Sequence, residues 1–363
     1  MKIMTIVGAR PQFVKAAPVS RALRKIADEF LLHTGQHYDA NMSQLFFDEL
    51  EIPAPDLNLE IGSGPHGLQT GQMLVAIEKA LMAQQPDWVL VYGDTNSTLA
   101  GAVAAAKLNI PIAHVEAGLR SFNRLMPEEI NRILTDRISA LLLCPTRTAV
   151  THLADEGIRS GVHWTGDVMY DAALHFAALA EIKSTVLQKL NLQPRSYVLA
   201  TVHRAQNTDE PAALSRIMEA LLQSGQTIVF PVHPRTAGFL HKYGLMEKLI
   251  ASGRIRVLEP VGYLDMICLE KNARRIVTDS GGVQKEAYFF QTPCITLREE
   301  TEWSETVDDG WNVLTGTDPQ KIVHAVSSFN PTRPQGRHYG DGQAADRIAE
   351  IISKTGAGRP TDL

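Results

Sequence analysis

Three cysteines among 363 residues, Cys144, Cys268 and Cys294, are too few and too far apart for a disulfide frame. Their apolar strand- or helix-like surroundings point to reduced core thiols and a cytoplasmic protein. Net charge is −5 and no basic block exceeds two or three residues, so no nucleic-acid surface is expected. No apolar run approaches the ~18 residues of a membrane span, and the chain enters a strand at Lys2 without a signal peptide. Nucleotide signatures are missing too. There is no GxGxxG after the first strand and no GxxxxGK followed by Ser or Thr, which speaks against a dinucleotide cofactor or P-loop chemistry. His and Cys spacings give no zinc site, and nothing requires His203, His233 and Asp94 to share a metal. Neither cofactor nor metal is expected.

What the chain does have is a rhythm. Apolar, non-alternating strand-like runs occur at Ile3–Val7, Phe30–Thr34, Trp88–Tyr92, Ile112–Val115 and Ala140–Cys144, with helical patterns such as Pro18–Ile26 and Leu99–Leu108 between them. The rhythm restarts at Tyr197–Thr201, Thr227–Pro231, Ile255–Leu258, Arg275–Thr278 and Cys294–Leu297. Such strands belong to parallel sheets covered on both faces, and two sets make two doubly wound α/β domains. The expected domains are residues 1–168, with a C-terminal segment 341–363 returning to them, and residues 169–340. His163–Asp171 and a polar helix through Leu190 read as the crossover. A last helix is expected at about Gly342–Ser353, followed by a frayed tail, Gly356–Leu363.

Open parallel sheets bind ligands at the carboxyl ends of their strands, and the unusual polar residues fall there. After the first strand comes Gly8-Ala9-Arg10-Pro11-Gln12-Phe13-Val14-Lys15, where Pro11 suits a first helical position. Arg10 and Lys15 are cations beside a helix start, where they oppose the dipole unless an anion joins them. Asp94 follows the third run. Glu116 follows four apolar residues directly, in His114-Val115-Glu116-Ala117-Gly118-Leu119-Arg120. Pro127-Glu128-Glu129-Ile130-Asn131-Arg132 begins a helix with two acids; one complements the dipole and the other faces the cleft.

In the second half, His203-Arg204 and His233-Pro234-Arg235 each follow a strand, and Arg298 follows the last one. The most informative stretch is Thr278-Asp279-Ser280-Gly281-Gly282-Val283-Gln284-Lys285-Glu286. Adjacent glycines at a strand-to-helix switch admit a ligand close to the backbone, and the new helix aims its first amides at it. Ser280 adds a hydroxyl, and Glu286 can accept from a sugar's hydroxyl pair. Cations and amides suit a diphosphate; Asp94, Glu116 and Glu128 suit proton transfer at a sugar carbon.

These motifs, in order over nearly the whole chain, resemble the non-hydrolysing UDP-N-acetylglucosamine 2-epimerase family. The resemblance implies a GT-B-like fold of two Rossmann-like domains with a cleft between them, and a homodimer built through the N-terminal domains. It implies inversion at C2 of a UDP-activated acetamido sugar, without NAD or metal, by elimination and re-addition of UDP. It assigns Asp94, Glu116 and Glu128 to the acid/base set, with His203 beside the leaving diphosphate. Arg10, Lys15, Arg132, Arg204, His233 and Arg298 approach the phosphates or sugar. Ser280, Gly281 and Gly282 hold the diphosphate, Glu286 the ribose, and the Tyr263–Met266 segment the uracil.

The chain departs from the family pattern at Ala9 and Gln12, where Thr and Glu are usual, at Ala205–Asp209, and at Trp303. These variants resemble the subgroup acting on UDP-2,3-diacetamido-2,3-dideoxyglucuronate for bacterial surface polysaccharide. Loss of an acid near a carboxylated sugar lowers repulsion. The departures around His203 also weaken the case for allosteric activation by UDP-GlcNAc. Two rivals stay open: an inverting UDP-sugar glycosyltransferase of the same fold, and a non-catalytic UDP-sugar-binding regulator.

Overall fold

A strand buried on both faces must be apolar throughout, and Trp88–Tyr92 (WVLVY) is buried at every position. It is the centre of the first of two parallel sheets. The computed structural model describes residues 1–36, 47 and 51–356. It separates into one unit of Met1–Ala172 with the chain from Arg337 onward, and a second of Ala173–Gly336.

In the first unit the strands are β1 (Lys2–Val7), β2 (Asp28–His33), β3 (Leu57–Asn58), β4 (Trp88–Tyr92), β5 (Ile112–Val115), β6 (Leu141–Cys144) and β7 (Val162–Trp164). They pair in the order β3-β2-β1-β4-β5-β6-β7, all parallel. In the second they are β8 (Val198–Thr201), β9 (Ile228–Pro231), β10 (Ile255–Leu258), β11 (Arg275–Thr278), β12 (Cys294–Thr296) and β13 (Asn312–Leu314). Their order, β10-β9-β8-β11-β12-β13, is the same winding. Each sheet reverses direction once, between β1 and β4 and between β8 and β11, and those gaps are where such sheets bind ligands.

Three strands lack a strand-like sequence signal. Leu57–Asn58, Val162–Trp164 and Asn312–Leu314 are short edge or near-edge strands whose few residues are mostly half-buried. Val162–Trp164 corrects the crossover reading of His163–Asp171, which begins inside β7. The crossover helix is Val168–Lys183, and it is not polar: Val168, Met169, Ala172, Ala173, Phe176, Ala177 and Ala180 are buried. The first helix also starts earlier than its apolar run suggests, at Arg10, and carries Pro18 in its interior. The expected frayed tail lies, from residue 357 on, outside the described residues.

The chain from Arg337 onward completes the first unit. Helix Ala344–Thr355 packs on helix Arg10–Leu23, and its first amides, of Ala344 and Ala345, donate to Asp171 at 3.1 and 2.8 Å. Trp88 Nε1 donates to the carbonyl of Gly356 at 2.9 Å.

Candidate active site

At the switch point of the first sheet, Gly8–Lys15 leaves β1 and Gly93-Asp94 leaves β4. Gln12 fastens the two together. Its carbonyl oxygen accepts from the amides of Gly8 and Ala9 at 2.8 and 3.1 Å; its amide donates to Tyr92 O at 2.8 Å and Thr98 Oγ1 at 3.0 Å. All four bonding positions of a buried side chain are thereby used. This corrects the reading of Gln12 as a sugar-pocket variant: it faces the interior. A carboxylate there could not donate to the Tyr92 carbonyl.

Glu116, at the end of β5, is buried and has φ +72°, a left-handed conformation rare for a residue with a Cβ. Lys15 Nζ pairs with its Oε2. Gly93 lies beneath this pair: a Cβ there would sit 3.3 Å from both Glu116 Oε2 and Lys15 Nζ. Asp94 Oδ2 accepts from Arg132 Nε and Nη2 at 3.0 and 2.7 Å, and Asn131 donates to the Asp94 carbonyl at 2.9 Å. Asp94 and Glu116 are therefore each oriented by one cation.

The acids of helix Pro127–Ile138 separate cleanly. Glu129 is buried and accepts from Arg132 Nη1 at 2.6 Å and from the amides of Ser121 and Phe122 at 2.9 Å. Burial pushes its carboxyl up, but the Ser121 amide and Arg132 outweigh that and hold it below the usual range. Glu128, at the helix start, is exposed.

Behind Glu116 runs a buried chain of groups. His114 Nε2 meets Gly93 O at 2.8 Å and Nδ1 meets Asp136 Oδ1 at 2.7 Å. Arg120 then bridges Asp136 Oδ2 at 2.7 Å and Glu156 at 2.6 and 2.9 Å. Gly118 has φ +79°, and a Cβ there would run into the carbonyl of Ala149. Among the described residues of this unit, Lys15 with Glu116 and Arg132 with Asp94 form two ion pairs beside Gly93, while Arg10 is half-buried at the start of its helix.

The second unit's switch point is built around Asp279, which is fully buried after β11. It accepts from the amides of His203 and Arg204 at 3.1 and 3.0 Å and from Asn207 Nδ2 at 3.0 Å, locking the loop after β8 against β11. His203 Nδ1 is 3.6 Å from Asp279 Oδ1, and its ring centroid is 6.4 Å from that of His233. Burial lowers the His203 imidazole, with His233 and Arg204 adding to the effect against Asp279, so the ring is held toward its neutral form. His233 caps helix Pro234–Lys242, accepting from the Arg235 amide.

Helix Gly281–Phe289 starts with no side-chain cap. The two glycines differ. A Cβ on Gly281 would collide with Glu302 Oε1, whereas one on Gly282 would meet nothing nearer than Ser280 Oγ at 3.9 Å. Only at Gly282 is the missing Cβ open space. Glu302 is clamped by Arg298 at 2.9 Å, with Arg204 at 3.9 Å. Glu286 is buried, and Tyr263 donates its hydroxyl to Glu286 Oε1 at 2.8 Å; Met266 is half-buried one turn along from Tyr263.

The model of the family described as UDP-N-acetylglucosamine 2-epimerase matches residues 21–353. The chain belongs to that family. It is 56% identical to a UDP-N-acetylglucosamine 2-epimerase homolog of Methanococcus maripaludis, with 97% of this chain and 99% of that protein covered. It is 50% identical to the UDP-2,3-diacetamido-2,3-dideoxy-D-glucuronate 2-epimerase of Pseudomonas aeruginosa, with 98% and 100% covered. A solved structure of the Methanocaldococcus jannaschii UDP-GlcNAc 2-epimerase, in complex with UDP-GlcNAc and UDP, matches at TM-score 0.89 and 46% identity, covering 98% of this chain and 100% of that one. The chain is an isomerase of this epimerase family, and its two parallel-sheet α/β units have the GT-B-like fold.

Within this 2-epimerase, sequence reasoning missed Asp279, Glu302, Asp136 and Glu270 as parts of the site's scaffold. Asp279 carried a signal, since it stands between β11 and the glycines where an acid has no helix to cap. The others are carboxylates inside helices or loops, indistinguishable in sequence from solvated ones. Among the described residues no three His, Cys, Asp or Glu side chains are grouped to hold a metal.

Proposed function

We propose that this epimerase inverts C2 of UDP-2,3-diacetamido-2,3-dideoxyglucuronate, giving the manno isomer for surface polysaccharide. The nucleotide is held by the second unit and the sugar is worked on by the first. What carries the reading is the uncapped helix start at Ser280–Gly282, open at Gly282, together with two cation-oriented carboxylates at the other switch point.

Helix amides, with Arg204, His233 and Arg298 near them, offset the diphosphate charge. Glu286 takes the ribose hydroxyls, and the Tyr263–Met266 turn takes the uracil. The C2 hydrogen is weakly acidic, so its removal is coupled to departure of UDP from C1. One of Asp94, Glu116 and Glu128 takes the proton as the C1–O bond breaks, leaving a glycal and UDP. Re-addition of UDP to C1, with a proton delivered to the other face of C2, completes inversion. His203 faces the leaving oxygen; neutral in the free protein, it is drawn toward its cationic form by the arriving diphosphate. Arg10 and Lys15 add charge from the first unit.

The diacetamido-uronate is favoured by the Pseudomonas relative and by the departures at Ala205–Asp209 and Trp303, no longer by Gln12. UDP-N-acetylglucosamine is the second reading, supported by the 46% identical archaeal enzyme. Incubating each UDP-sugar with the protein in D2O and following C2 by NMR decides. Inversion with solvent deuterium at C2 is expected, faster for the uronate; transfer to an acceptor, or no exchange with either sugar, ends the reading.

We also propose a homodimer. Helix His66–Gln84 exposes Leu68, Val75 and Met82, 59%, 51% and 63% accessible, at heptad spacing that suits packing against a second copy. Val75→Glu is expected to shift the protein to monomer in light scattering. A cytoplasmic location fits the three free thiols, and among the described residues no helix is long and apolar enough to cross a membrane.

A further inference from the structure

Glu270 stands in helix Tyr263–Asn272 with no solvent exposure at all. Neither of its carboxyl oxygens has a donor among the described residues, and no Lys or Arg pairs with it. Unpaired buried carboxylates are too costly to persist, so such a group is neutral or shares a proton. Its neighbour is another carboxyl, that of Glu286 on helix Gly281–Phe289, whose charge acts on it directly. Two carboxylates so placed repel when both are charged, and a hydrogen carried by one of them relieves this and lets it donate to the other. Burial first, and then Glu286, pushes Glu270 well above the usual carboxyl range.

The other titratable groups facing Glu270 offer no relief. The Tyr197 phenol donates to the Leu269 carbonyl at 2.7 Å instead, and the buried Cys294 thiol on β12 is itself pushed up to about 12 by burial. Glu286, by contrast, has a second partner, the Tyr263 hydroxyl at 2.8 Å.

We infer that Glu270 is a positioning residue, a buried neutral acid that donates its hydrogen to Glu286 and, with Tyr263, fixes that carboxylate for the two hydroxyls of a ribose. The inference rests on the reading of Glu286 as the ribose ligand. Tyr263 and Glu270 hold the Glu286 carboxylate from one side, so that it meets a cis-diol in one orientation. An apolar residue at 270 would remove that donor from Glu286, whereas Gln at 270 still donates.

The test uses the full chain and UDP alone. Glu286→Ala, Glu270→Leu and Glu270→Gln are compared by calorimetry, with melting temperatures recorded. Glu286→Ala and Glu270→Leu should each weaken UDP about tenfold, the scale of one charged hydrogen bond, and Glu270→Gln should restore most of what Leu loses. Infrared difference spectra should show a protonated-carboxyl C=O band in the parent that Glu270→Gln removes. Full UDP affinity in Glu270→Leu, equal loss in Gln and Leu, or survival of the band in Glu270→Gln overturns the proposal. Should Glu270→Leu fail to fold, the Gln variant and the infrared band still decide. If Glu286→Ala binds UDP normally, the ribose reading itself falls, and the band then judges the shared proton alone.

Discussion

The two units wind their sheets identically, yet they spend carboxylates in opposite ways. At the first switch point Asp94 and Glu116 sit at loop ends, each turned by a cation, Arg132 or Lys15. At the second, Asp279 is sunk out of reach and its lone pairs are consumed by the amides of His203 and Arg204, while the helix start beside it keeps no cap. One arrangement keeps acids available for proton transfer; the other removes an acid from the surface and leaves N–H groups for an anion. On the proposed function, the same topology serves as a base in one unit and a cradle in the other, according to whether its strand-end acid is paired with a side chain or with backbone.

That contrast breaks most visibly at the acids. Asp94→Asn and Glu116→Gln keep shape, so turnover of the folded protein should fall roughly 10²-fold or more while UDP affinity changes little. Near-normal turnover in either would take it out of the acid/base set. Asp279→Ala should do the reverse of a clean catalytic lesion, lowering melting temperature and UDP affinity together. It removes several hydrogen bonds to a charged group, each worth about 1.5–3 kcal/mol. An unchanged melting temperature would mean the loop after β8 is held by something else.

The glycine pair sharpens the comparison further. Gly281→Ala should destabilise the fold by displacing Glu302, whereas Gly282→Ala should melt normally and lose UDP affinity several-fold, because its methyl enters the cradle. Equal behaviour of the two would remove the cradle reading. The smallest effect expected is a pH dependence in the first unit. Burial raises the Asp171 carboxyl to about 6, against amide bonds from Ala345 and Ala344. Its folded value lies above the unfolded 3.8, so the folded state holds the extra proton. Stability from this group rises as pH falls through 6 toward 4 and is lost above 6. Asp171→Asn should flatten that slope in melting curves; an unchanged slope would assign it elsewhere.

Much of this was legible in the chain because β1, β4, β5, β8, β9 and β11 are short, mostly apolar and buried, and Gly, Asp, Glu or His follows each directly or after one valine. Periodicity finds such strands and adjacency finds their loops. Two- and three-residue edge strands such as Val162–Trp164 carry too few buried positions to register. The start of helix Arg10–Leu23 was legible in Pro11, which takes a first-turn position, whereas the apolar pattern from Pro18 marked only its second half. Gln12 misled for another reason. A polar residue after a strand looks ligand-facing, and only coordinates reveal that its four hydrogen bonds turn inward. Glu270 was invisible, since nothing in Leu-Glu-Lys-Asn tells which acid points at another.

The first unit is discontinuous, and that sets an order of assembly during synthesis. Its last helix, Ala344–Thr355, covers its first, Arg10–Leu23, and Asp167 and Asp171 wait for the amide and carbonyl groups of residues 339–345. The second unit, Ala173–Gly336, is contiguous and has all its strands well before then. On the ribosome, therefore, the half made second closes first, and the half made first stays open at its helix Arg10–Leu23 until helix Ala344–Thr355 emerges. A released chain truncated after Gly336 should resist protease across residues 198–314 and be cut within residues 10–36. Equal resistance of both would show that the returning segment is a late ornament and not a keystone.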